Sequence, residues 1–267
     1  MSAINIFQIS FEIWGCIISM IISILLGTFF FKTKDAVGKK LWAMILINNL
    51  LLVSDALAYI YRGDLSPIGV VMTRICNFAL FALEYLLIVL FVRYVKYITS
   101  FNEVKAPKRW EYMAFILLAV GFIGLVITQF NDLYYSFDDT NHYQRENGIW
   151  ISFTVCGAVI LICFFRLWLY RKKFSKSQIS LFYLCIMIFL VCIIIQFIFY
   201  GLSLINIGVT ISLILTYLRH YTLQFDLYVN NSVEEAVRDI QALYAWKNNS
   251  EFVSEKTPEV QYEESKE

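Results

Sequence analysis

Arg74, Asn77 and Glu84 lie inside a long apolar run, three and seven positions apart, so at about 100° per residue they fall on one helical stripe. Ionisable groups in hydrocarbon are costly and usually paired, which makes each of them a functional candidate. Asn48 and Asp55 share a face of the preceding apolar run. The short connection between the two runs makes them antiparallel neighbours. It sets Asp55 and Arg74 at similar depth in the outer half, with Glu84 near the middle, and Asp55–Arg74 is the expected ion pair. Glu12, Gln196, Ser203, Asn206 and Thr210 add polarity at the same outer level. Two arrangements accommodate these groups. One is a ligand pocket open to the outside, formed by Glu12, Asp55, Arg74, Asn77, Glu84, Gln196, Asn206 and Thr210. The other is a lock in which the groups satisfy one another. Polar contacts between membrane helices stabilise by only about 0.6 kcal/mol on average, and Arg74 and Glu84 cost more than a lock requires. Arg93 and Arg166, near the opposite ends of their runs, read as snorkelling anchors.

Other chemistries lack their residues. The two histidines, His142 and His220, fall on opposite sides of the expected bilayer, whereas an intramembrane zinc site needs several ligands converging at one depth. No apolar run carries an interior lysine, so a retinal Schiff base has no amine to form on. Glycine-rich phosphate loops and a G-x-S-x-G turn are missing. Pro67, Pro107 and Pro258 lie outside the apolar interiors, and no internal repeat is visible, against the broken helices and repeated halves of many transporters. The RGD at 62–64 is three common residues in a short loop. Catalytic residues, metals and cofactors are therefore not expected.

The elements that must hold these residues are membrane helices. Hydrophobic residues make up 59% of the 267 positions and mean hydropathy is +0.64, above the composition of soluble domains. A helical span needs roughly 20 apolar residues. Seven segments qualify: 7–31, 41–61, 68–95, 112–130, 149–170, 179–200 and 202–219. The first reads as a span rather than a cleaved signal, because no basic residue precedes it and its apolar run is long. Lys32, Lys34, Lys39 and Lys40, then Lys96, Lys105, Lys108 and Arg109, then Arg171, Lys172, Lys173 and Lys176 occupy alternate connections. The other side has only Arg62 and Arg145. Retention of positive loops in the cytoplasm places the N-terminus outside and the C-terminus inside. The basic loops thus face a lipid surface rather than nucleic acid. Trp14, Trp42, Trp110, Trp150 and Trp168 sit near span ends, as amphipathic rings should. The six cysteines lie within spans as small apolar residues.

Between spans 4 and 5, Asp138, Asp139, Thr140 and Asn141 supply turn chemistry between two short aromatic arms, which predicts a hairpin-like cap. The acids lack the ligand spacing of a calcium loop. The expected organisation is a seven-helix bundle over 1–222, an amphipathic region over 223–250 and a disordered acidic tail over 251–267. In the middle part, Ser232 and Glu235 form a capping box, and Val233, Val237, Ile240 and Tyr244 recur at helical spacing as a partner-binding stripe.

Two stretches, LYYSFDDTNHYQR ending at Arg145 and FYGLSLINIGVTISL bridging spans 6 and 7, resemble the seven-helix N-terminal sensor region of bacterial histidine kinases and membrane diguanylate cyclases, over residues 1 to about 225. The resemblance implies a multi-pass protein of the bacterial cytoplasmic membrane that passes an external or intramembrane signal inward. The chain has no GGDEF motif, phosphoacceptor helix or ATP-binding segment, so enzymatic activity is not expected. The resulting expectation is an all-α membrane sensory module that acts on a separate cytoplasmic signalling protein or pairs as a homodimer. Its rivals are a small transporter or channel subunit, and a structural membrane protein that recruits a cytosolic factor through its tail.

Overall fold

The computed structural model describes the backbone of residues 3–33, 35–101, 107–198 and 203–255. These residues form seven α-helices: α1 (Ala3–Thr33), α2 (Ala36–Ile60), α3 (Pro67–Phe101), α4 (Arg109–Asn131), α5 (Ile149–Leu169), α6 (Lys176–Ile198) and α7 (Leu204–Glu255). Strands β1 (Tyr135–Phe137) and β2 (Tyr143–Arg145) separate α4 from α5. Within α1 to α5 there are five stretches long and apolar enough to cross a membrane, and α6 contributes a shorter apolar stretch, Lys176–Cys192. Large apolar side chains such as Ile24, Leu50, Ile116 and Leu161 are exposed along these helices. In water that surface would be unstable; in a bilayer it faces like solvent. The arrangement is compatible with a multi-pass membrane protein.

Local chemistry sets the helix ends. Asp35 caps α2, its side chain accepting from Val37 N. Pro67 opens α3, where its missing N–H costs nothing, and Ser66 Oγ accepts from Gly69 N at 3.0 Å. Asp132 ends α4 in the left-handed conformation, φ 53°. Ser175 and Gln178 form a reciprocal capping box at the start of α6, with bonds of 3.2 and 3.1 Å.

The chain divides into two compact units, Met1–Tyr217 and Leu218–Glu267. In the first, α1 packs on α2, α2 on α3, and α3 on both α4 and α5. The core contains Leu41, Ile45, Leu51, Leu125 and Val159. Small residues admit large aromatics: Tyr134 lies against Gly124 and donates its hydroxyl to Gly121 O at 3.0 Å. Tyr85 Oη and Ser152 Oγ lie 2.8 Å apart between α3 and α5. At the basic-loop end, Arg166 of α5 is buried, 4% exposed, with Nη1 at 3.5 Å from Glu111 Oε1 and Nη2 donating to Thr99 Oγ1 at 2.8 Å. Arg166 is thus not a snorkelling anchor. It has a carboxylate partner inside the protein, whereas Arg93 is exposed.

The predicted cap is an antiparallel hairpin with Tyr135 opposite Arg145 and Phe137 opposite Tyr143. Asp138 Oδ1 accepts from Thr140 N at 3.0 Å, Thr140 Oγ1 at 2.7 Å and His142 N at 2.8 Å. Asn141 takes the left-handed conformation, φ 56°. Its amide then reaches beyond the hairpin: Nδ2 donates to Asp64 O at 2.8 Å and to Thr73 Oγ1 at 3.1 Å. Gly63 N returns a bond to Asn141 O at 3.1 Å. Gly63 has φ 81°, and any Cβ there would press on the His142 ring.

In the second unit the backbone is helical through Ser232, whose hydroxyl donates to Tyr228 O at 3.0 Å within the helix. The expected capping box therefore does not start a helix. No Gly or Pro interrupts 209–255, so there is no end for Ser232 to cap. Helix continues to Glu255 rather than stopping at 251, and 256–267 lie outside the described residues. Val233, Val237, Ile240 and Tyr244 are exposed, as are Phe225, Val229 and Leu243.

Candidate functional site

A cavity of about 100 Å³ opens at the hairpin end of the first unit. Asp55 and Tyr59 of α2, Asn77 and Glu84 of α3, Asn206 of α7 and Arg62 after α2 line it, with Tyr143 and Arg145 of β2 and Phe153 of α5. Four of the sequence candidates, Asp55, Asn77, Glu84 and Asn206, therefore meet around one space. Their approach follows from helix geometry: Asn77 and Glu84 are seven residues apart and differ by only about 20° around α3.

Glu12, wholly buried on α1, stands near Asp55 but does not line the cavity. Gln8 Nε2 donates to Glu12 Oε1 at 2.6 Å, while Glu12 Oε2 is buried with no donor against it. Asn206 Nδ2 donates to Asp55 Oδ2 at 2.7 Å and to Ser203 Oγ at 3.0 Å. Thr210 Oγ1 donates to Asn206 O at 2.8 Å and accepts from Asn48 Nδ2 at 2.9 Å. Thr210 thus belongs to a buried polar chain beside the cavity rather than to its lining. This chain joins α1, α2 and α7, and it is the lock that the sequence offered as the alternative to a pocket. Asp55, Ser203 and Asn206 of this chain also line the cavity.

Arg74 does not take part. It lies about 60° around α3 from Asn77, exposed, with its guanidinium 5.5 Å from the centre of the Phe137 ring. The expected Asp55–Arg74 ion pair is not formed, because Asp55 turns toward α7 and α1 while Arg74 turns toward the hairpin. The Gln196 side chain falls outside the described residues.

The arginines that do reach the cavity are Arg62 and Arg145, the two basic residues of the hairpin-side connections. Sequence reasoning used them only to count charge. Their isolation in otherwise uncharged-to-acidic connections was the available signal. Tyr59 lies in the field of both, and of Asp55 and Glu12. Among the described residues Glu84 has no hydrogen bond or ion pair, and it lines the cavity. Chemically the site can hold and orient a small polar molecule. Among the described residues no group of His, Cys, Asp and Glu is placed to hold a metal ion. No protein-family model matches this chain, and neither a curated protein nor a solved structure does.

Proposed function

We propose that this chain is a seven-span sensory module of a bacterial cytoplasmic membrane, with the hairpin outside, that recognises a small molecule in the hairpin-end cavity and signals to a separate cytoplasmic partner or a second copy. The carrying observation is Glu84, an unpaired acid well inside an apolar helix that faces a cavity roofed by a hairpin. A lock alone gives no reason for an acid with no partner, whereas a ligand site does. The alternating basic connections support the orientation. Output falls to the helix that supplies Asn206 to the cavity, because the same element carries the apolar residues Val233, Val237, Ile240 and Tyr244.

Two measurements test this. Alkaline phosphatase fused after Asp138 should be active and fused after Asn249 inactive; the reverse would put the cavity on the cytoplasmic side. With the chain in proteoliposomes and Gln241→Cys supplying a thiol that the tail otherwise lacks, disulfide cross-linking of the tail should change between the parent and Glu84→Gln, with no solute flux in either. Flux that depends on Glu84, with unchanged cross-linking, would make the chain a transporter.

A further inference from the structure

The charges around the cavity are segregated. Asp55 and Glu84 belong to helix interiors, while Arg62 follows the C-cap of α2 and Arg145 closes β2, so both cations stand at the hairpin end. Each end also has unused bonding capacity. Among the described residues none donates to Glu84, and Arg62 Nε is buried without an acceptor. We infer that the cavity binds a short zwitterionic amino acid, with its ammonium group donating to Glu84 and Asp55 and its carboxylate received by Arg62 beside Arg145.

Size and lining restrict the ligand further. The volume of about 100 Å³ is that of a small cavity, which fits a molecule with few heavy atoms and no bulky side chain. Leu80, Phe81 and Phe153 also line the cavity and suit a short methylene spacer. An anion alone would leave Glu84 unpaired, and an amine alone would leave Arg62 unpaired. A zwitterion satisfies both with charge-assisted bonds. Asn77 and Asn206 can add a donor or an acceptor to either end.

This inference rests on the sensory reading for the site but is tested apart from it, by calorimetric titration of the purified full chain in detergent. The probes are glycine, β-alanine and 4-aminobutanoate, with propylammonium and butanoate as single-charge controls. At least one zwitterion should bind about tenfold or more tighter than either control. Glu84→Gln and Arg62→Gln should each weaken it by about tenfold, a loss of one charge-assisted contact. Glu84 holds no other group in place, so Glu84→Gln should unfold with the parent's midpoint. Propylammonium or butanoate binding as well as the zwitterions would overturn the proposal, as would no binding by any probe. If the zwitterions fail while tail cross-linking still follows Glu84→Gln, the ligand class falls and the sensory reading stands.

Discussion

Asn206 and Asp55 are joined by a 2.7 Å hydrogen bond between α7 and α2, with both residues almost wholly buried. Removing the amide by Asn206→Ala leaves Asp55 Oδ2 without that donor, at a cost of about 1–3 kcal/mol. Thermal unfolding in detergent should show this loss, whereas Arg74→Ala, which removes an exposed contact with Phe137, should cost no more than about 1 kcal/mol. Equal losses from the two variants would mean that the bond does not hold α7 against α2.

Glu111 joins α4 to α3 and α5 through Lys96 at 2.6 Å and Arg166 at 3.5 Å. The two partners should differ in weight. Lys96 has 47% of its side chain exposed, so Lys96→Ala should cost at most about 1 kcal/mol. Glu111→Leu strands the buried Arg166 and should cost about 3–5 kcal/mol, part of which Glu111→Leu with Arg166→Leu should restore. Additive losses in that double variant would show that the pair is not coupled.

The hairpin depends on two backbone conformations that L side chains rarely adopt. Asn141→Gly keeps the positive φ but removes the amide bonds to Asp64 O and Thr73 Oγ1, so it should loosen the cap from the α2–α3 turn without disrupting the strands. Hydrogen exchange should rise at Gly63 and Asp64 while the amides paired across β1 and β2 keep their protection. Gly63→Val should be more damaging, because the side chain meets His142 as well as the backbone penalty. An unchanged exchange pattern in Asn141→Gly would remove the staple.

Hydrogen bonds from His142 N, then from the Thr140 hydroxyl, hold the Asp138 carboxyl down from its ordinary 3.8 to about 2. A depressed folded value means that this contribution is present above pH 3.8 and disappears as the pH falls through about 2. Protection of the hairpin amides should therefore decline across that window. Asp138→Asn should flatten the dependence, and a variant that titrates like the parent would assign it to another group.

On the tail, Val237→Asp with Ile240→Asp should leave membrane insertion intact and abolish tail cross-linking, because two carboxylates on the exposed apolar stripe oppose burial against any partner. Cross-linking at the parent's level would show that this stripe does not bring tails together.

Length and hydropathy in the sequence marked out the apolar helices, five of which carry stretches long and apolar enough to cross a membrane, since such a run has no other backbone solution in hydrocarbon. The hairpin was legible too, because Asp138 bonds the turn with its own carboxylate and Asn141 is a residue that tolerates the left-handed backbone found there. Part of the cavity could be read for the same local reason: Asn77 and Glu84 share an α3 face by periodicity alone. Tertiary structure decided the partners. Whether Asp55 meets Arg74 or Asn206 depends on helix rotation and on where α7 packs, and a spacing of about 100° per residue within one helix carries no information about its neighbours. Arg62 and Arg145 lie 83 positions apart, and only the seating of the hairpin on the α2–α3 turn, through Asn141 and Gly63, brings them to one cavity. The capping box at Ser232 failed for the complementary reason: a local motif starts a helix only where the preceding chain has stopped being one.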